Sequence, residues 1–212
     1  AYQVSAGNPG KLTIAQFDAD PSFAPAPFNH DWVDRYSATL GHTQDFGEGW
    51  RLETKAWMSY MDLSSRAAPN GPTPVSTTLQ QDIFQNEGVD LRLRKRWGRG
   101  NAFTAGVVGY HSNGPFRRWL DTDVTADRFD HSGAPTLDEN RSTNYGAVFA
   151  ENVFRFGSFH IVPSARLDWE QVKVDELVKP PTALYHLDVD TKKTIPLFAL
   201  GFGNDFGHGN ET

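Results

Sequence analysis

The chain has 212 residues, 38% hydrophobic and 13% aromatic, with 19 Gly, 13 Pro, no Cys and a formal net charge of −6. No run approaches the ~18–20 apolar residues of a membrane-spanning helix. The lack of Cys removes disulfides and thiolate metal sites, and the acidic balance argues against a nucleic-acid partner. The hydrophobic share lies below the roughly 45–50% usual for globular domains, so few aliphatic residues are on hand for a conventional core.

Residues 1–30 read as loop, with a short helical patch over Thr13–Phe17 and Thr13 as its N-cap. The first strand is expected over about 34–46, setting Tyr36, Ala38 and Leu40 against Arg35, Ser37, Thr39 and Thr43. A tight turn, Gly47-Glu48-Gly49, leads into a second strand. There Trp50, Leu52, Thr54, Ala56, Met58 and Tyr60 oppose Arg51, Glu53, Lys55, Trp57 and Ser59. Residues 65–86 read as a long loop containing a second helical patch, 77–84, capped by Ser76 or Thr77. The third strand, 89–97, sets Val89, Leu91, Leu93 and Trp97 against Asp90, Arg92, Arg94 and Arg96. After the turn Gly98–Asn101 come a fourth strand over 102–111, a loop over 112–140 and a fifth strand over 142–155. The turn Phe156-Gly157-Ser158 opens a sixth strand, 159–170, in which Phe159, Ile161, Pro163, Ala165, Leu167 and Trp169 share one face. A loop over 173–192, a seventh strand over 194–206 and a turn at Gly207–Asn210 complete the pattern.

Short Gly-rich turns thus alternate with long polar loops, and the strands are long for a globular sheet, where ~5–6 residues is usual. Aromatics gather at strand ends: Trp50, Trp97, Phe103, Phe156 and Phe159 near the turns, Tyr60, Tyr110, Tyr145 and Trp169 towards the loops. Two aromatic girdles around an apolar band, a charged opposite face and asymmetric connections describe an antiparallel, up-and-down transmembrane β-barrel. The alternatives are a soluble glycan-binding β-sandwich, in which Leu52, Leu91, Leu93, Ile161 and Leu167 would share a compact core, and a non-energised porin-like barrel. The opening residues AYQVSAGNPGK form no signal peptide. About seven or eight strands cannot make an even, closed bacterial barrel with a half-hairpin left over, so an internal segment of a larger barrel is expected.

The segments Pro9–Pro21, Asp34-Arg35-Tyr36, Asn144–Asn152 and Pro163–Asp168 resemble the barrel of TonB-dependent outer-membrane receptors. The stretches GAVFAENVFRF and IVPSARLDWE are most similar to the ferric-citrate receptor-like branch. The resemblance implies that residues 1–212 are part of an all-β barrel of about 22 strands with a plugged lumen. Its expected features are short periplasmic turns, long extracellular loops and a place in the Gram-negative outer membrane. It also implies active uptake of a ferric chelate, gated by a plug and driven through TonB. The sequence shows no recognisable plug, TonB box or terminal aromatic strand, so transport is expected of the parent receptor.

No catalytic motif is present, and no resident cofactor or metal site is expected. Asp121/Asp123 and Asp188/Asp190 read as solvated loop acids, and the seven His show no ligand spacing. Arginine is the informative residue, because guanidinium binds carboxylates bidentately and ferric citrate is an anion. The ligand-binding candidates are Arg35, Arg92, Arg141 and Arg166, as loop-side lumen groups, and Arg117 and Arg118 in the following loop. Arg51, Arg96, Arg99 and Arg155 lie near turns and are poor candidates. Against a ligand role stands a simpler one, pairing with acids on neighbouring strands. Trp57, Phe116, Trp119 and Tyr185 are candidates to line a vestibule.

Overall fold

The computed structural model describes residues 2–7, 13–69 and 73–205. The elements run β1 (Tyr2–Gly7), α1 (Ile14–Ala19), β2 (His30–Gly47), β3 (Trp50–Ala67), β4 (Thr77–Trp97), β5 (Asn101–Asp121), β6 (Leu137–Phe156), β7 (Phe159–Val178) and β8 (Asp188–Asn204). All eight strands form one antiparallel sheet in chain order, with β1 and β8 as its open edges. The expected up-and-down meander is therefore what the chain builds. The turn at Gly207–Asn210 lies outside the described residues.

Direct cross-strand partners share a face of a sheet, so the register separates the two faces. One row runs Leu40, Ala56, Val89, Gly109, Gly146, Trp169 and Thr194 across β2 to β8. The next pleat on the opposite face runs Thr43, Glu53, Arg92, Gly106, Phe149, Arg166 and Leu197. The first face is apolar and the second polar. Leu40, Met58, Phe198 and Phe202 are all more than half exposed, and Leu91 and Leu93 project from the same face. Those leucines lie in no compact core, which excludes the sandwich.

Trp50, Trp97, Phe103, Phe156 and Phe159 line the turn end of the apolar face, as expected. At the loop end, Tyr36, Tyr60 and Trp169 lie on it, but Tyr110 and Tyr145 do not. Their positions put them on the polar face, where the rings stack 5.0 Å apart. Alternation in that part of β5 and β6 is blurred by glycines, so the sequence did not reveal the phase.

The main correction concerns strand length. β2 to β8 have 17–21 residues each, whereas crossing a bilayer takes only ~9–11. The loops expected over 65–86, 112–140 and 173–192 contract to 68–76, 122–136 and 179–187. Past the apolar band polar residues occupy both faces, so no hydrophobic alternation marks the strand although its ladder continues. The helical patch expected at 77–84 is instead the start of β4, held on both sides by β3 and β5. Residues 2–7, expected as loop, add a short strand along β2. The first helical patch does form, as α1. Its Thr13–Gln16 capping box satisfies both ends, with Gln16 Oε1 accepting from Thr13 N at 2.9 Å.

Three left-handed residues, Gly47, Glu48 and Gly49, close the β2–β3 turn. Gly49 has a second constraint, since a Cβ there would stand 2.5 Å from the Arg96 carbonyl oxygen. On the polar face Gly106 leaves room for the Phe149 ring, and Gly88 for Trp57. A Cβ at Gly106 would meet Phe149 Cζ at 2.5 Å and the Leu91 carbonyl oxygen at 2.6 Å.

On the expected reading of the apolar face as lipid-facing, two outcomes follow for the receptor. Leu91→Arg should destabilise it by about 2–4 kcal/mol, the cost of a cation on the lipid face near mid-bilayer. Gly106→Ala should cost about 1–3 kcal/mol by overpacking the Phe149 ring. Urea midpoints for the receptor folded in lipid vesicles check both, and a wild-type midpoint for Leu91→Arg would contradict the assignment of that face.

Candidate functional site

The polar face carries two clusters of arginine and aromatic rings. The first lies at the loop end, where β4, β5 and β6 extend beyond the apolar band. Phe116 sits between two guanidinium groups, Arg141 at 4.3 Å and Arg118 at 5.7 Å from the ring centroid. Phe116 and Arg118 are two residues apart on β5 and share a face, while Glu139, partnered with Phe116, brings β6 alongside. Arg141 is bound by Glu139 through Nε at 2.8 Å and Nη2 at 2.6 Å. Arg118 donates to the amide oxygen of Gln80 at 3.4 Å. A neutral amide partner leaves that cation's charge in place, whereas Glu139 offsets the charge of Arg141. Asp82, paired with Phe116 in register, and the buried Glu176, paired with Glu139, complete this part of the wall.

The second cluster is deeper. Arg92 and Arg166 lie in the row of Phe149, their guanidinium carbons 5.6 and 5.8 Å from its ring. Asp90 grips Arg92 in a fork at 2.9 and 2.7 Å. Asp168 accepts from Arg166 Nε at 2.6 Å, and Tyr145 Oη also accepts from Arg166. Ion pairing is thus present and in these clusters runs along single strands, while cross-strand pairs occur at Arg51–Asp45, 2.8 Å, and Arg117–Asp138, 3.3 Å. Residues two apart on a strand share a face about 7 Å apart, within reach of an arginine. The motifs Asp90-Leu91-Arg92, Glu139-Asn140-Arg141 and Arg166-Leu167-Asp168 carry that signal in the sequence.

The predicted arginines therefore divide. Arg118 and Arg141 converge on Phe116. Arg35 is exposed and belongs to the row of Arg141, several strands away. Arg92 and Arg166 are not loop-side groups. Arg92 is five residues from the turn end of β4 at Trp97, and Arg166 seven from that of β7 at Phe159. Their strands extend much further on the loop side than the alternation indicated. Arg117 and Arg118 stand in β5 rather than in a loop, so they point to opposite faces. Arg117 falls on the apolar-band side and pairs across strands with Asp138 at 3.3 Å.

The aromatic candidates divide likewise. Phe116 and Trp57 are on the polar face, and Lys55 Nζ lies 5.9 Å from the Trp57 ring. Trp119 is buried on the other face, stacked on His131 at 4.0 Å and packed with Leu79 and Ala126. Tyr185 is exposed in loop 179–187. Asp121 ends β5 and accepts from Ser132 N at 2.6 Å and Asp123 N at 2.9 Å. Hydrogen bonds from Thr125 hold the Asp123 carboxyl below its usual range. Asp188 and Asp190 belong to β8, not to a loop. Among the described residues, no group of three or more His, Asp or Glu is arranged to hold a metal ion.

The family described as "TonB dependent receptor-like, beta-barrel" matches residues 2–202. No curated protein sequence matches the chain. The structure is similar to that of the ferric citrate transporter FecA in its unliganded form, with a TM-score of 0.74 at 19% identity. The likeness covers 96% of this chain and 30% of the transporter, so the chain spans under a third of that protein's length. At that identity the likeness establishes the fold, and the match over residues 2–202 establishes the lineage: the chain belongs to the TonB-dependent receptor-like β-barrel family.

Proposed function

We propose that the chain is barrel wall from a Gram-negative outer-membrane receptor that imports an anionic ferric chelate, ferric citrate in the first instance. The observation carrying this reading is the two-faced sheet itself: an apolar face suited to lipid and an opposite face lined with arginine and aromatic groups. The polar face then forms the lumen, and the loop end, with Phe116, Arg118 and Arg141, faces the cell exterior. In the intact receptor a plug fills the lumen and TonB supplies the energy. The iron travels as cargo already wrapped in chelate oxygens, so the wall need supply only donors to the chelate's surface.

Arg118 is the group best suited to that task. Among the described residues no carboxylate is bonded to it, and its guanidinium lies 5.7 Å from the Phe116 ring with N–H groups suited to a ligand carboxylate. Arg141 is a weaker donor, because a ligand must compete with Glu139.

Cells producing the intact receptor should accumulate iron-55 from ferric citrate, and collapse of the proton gradient should abolish uptake. Uptake that survives an uncoupler would indicate a passive pore. For the site, Arg118→Gln should weaken chelate binding about tenfold, the worth of one charge-assisted pair at roughly 1.5 kcal/mol. The loss should be larger at low salt, where screening is least. Arg99→Gln, in the short turn after β4, should leave affinity unchanged. Titration of the purified receptor with ferric citrate at two ionic strengths checks these three expectations together.

A further inference from the structure

The loop end of the sheet has a feature that uptake alone does not require. Loop 122–136 does not extend over the polar face. It folds back across the outer face of β4, β3 and β2 and is fastened there. Arg128 pairs with Asp34 of β2, both side chains largely buried. Arg66 of β3 donates Nη1 to the carbonyl oxygens of Thr125 at 2.6 Å and Ala126 at 2.8 Å. Its Nε donates to the Phe28 carbonyl at 2.7 Å, so the same guanidinium also ties in the loop before β2. Trp32 covers it at 5.6 Å. Asp34, Arg66, Leu79 and Trp119 all lie on the face away from the proposed lumen.

The fastening ends at the proposed ligand group. Thr136 donates its N at 2.7 Å and its Oγ1 at 3.1 Å to the carbonyl oxygen of Arg118. The next residue, Trp119, is clamped between Leu79, Ala126 and the His131 ring. Asp121 is held by Ser132 N and Oγ. The backbone carrying Arg118 is thus gripped from outside while its side chain turns inward over Phe116.

We infer that loop 122–136 is a fixed outer brace rather than a lid, and that Arg128, Arg66 and Thr136 are positioning residues acting through it to set the lumen-facing guanidinium of Arg118. A lid would have to break the Arg128–Asp34 pair, release two carbonyls from Arg66 and expose the Leu79–Trp119–Ala126 cluster. Held in this way, loop 122–136 does not itself close over a ligand on the polar face. This inference rests on the proposed uptake of a chelate for its binding readout, but not for its mechanical one.

The absence of cysteine from this chain makes single-site labelling straightforward. A nitroxide on Phe129→Cys in the intact receptor should show an immobilised line shape without ligand. Its distance to a second label on Leu40→Cys should stay the same when gallium citrate, a diamagnetic stand-in for ferric citrate, is added. Arg128→Ala should free the label and weaken ferric citrate binding about fivefold, and Arg128→Lys should restore part of both. In an Arg118→Gln background, Arg128→Ala should have no further effect on affinity, an outcome that general destabilisation would not produce. A mobile label in the unliganded receptor, a distance change on adding gallium citrate, or equal affinity losses in both backgrounds would overturn the inference. If citrate does not bind at all, the functional proposal fails, and the unliganded line shape alone decides for or against the brace.

Discussion

The structure depends on the obligation of every backbone N–H and C=O to find a partner where water is absent. A single-layer sheet meets it only by pairing each strand on both sides, and β2 to β7 do so by the simplest route, each strand between its sequence neighbours. With the backbone satisfied between strands, the side chains need no common interior. On the proposed reading, lipid solvates one face and the lumen contents the other. The unusual composition follows, since a wall one residue thick has almost nothing to fill. The buried hydrophobic cluster of Leu79, Trp119 and Ala126 forms where a loop doubles the wall.

Legibility in the sequence tracked the contrast between the two faces. Around Leu91 and Arg92, or Leu167 and Arg166, the two solvents differ sharply, and alternation gave both the strand and its orientation. Above the band the contrast vanishes. Thr77 to Phe84 alternates polar with mildly apolar residues, and a capping residue followed by Leu and Gln resembles a helix start as much as a strand. Long-range pairing to β3 and β5 decides the outcome there. The same displacement carries over to the functional residues: with strand ends set too low, Arg92 and Arg166 read as loop-side groups and Arg117 and Arg118 as loop residues. Phase mattered as much as boundary, because one residue separates Arg117 on the outer face from Arg118 on the inner.

The polar face also shows two ways in which a wall holds many charges, one of them the cross-strand pair Arg51–Asp45 at 2.8 Å. Carboxylates two residues away on the same strand take Arg92, Arg141 and Arg166. Such pairs are partly exposed and contribute little each, in the range of ~0–1 kcal/mol. Their effect is geometric. Each fixes one edge of a guanidinium, and an aromatic ring, Phe149 or Phe116, lies 4.3–5.8 Å from its carbon. Gly106 makes the Phe149 arrangement possible by giving up its own side chain.

Because the wall is one layer, its two faces cannot be tuned independently. A residue that fastens the outer face at Trp119 fixes the torsions of the backbone that aims Arg118 inward, one position away. In a globular site, supporting groups stand behind the functional side chain within the same core. Here the nearest equivalent is on the far side of the sheet, where loop 122–136 folds back on the wall. Polar extension of the strands beyond the bilayer is what makes room for it. The overlong strands and the folded-back loop are therefore linked features: the first lifts Phe116 and Arg118 clear of the lipid band, and the second stiffens the wall where lipid no longer presses on it.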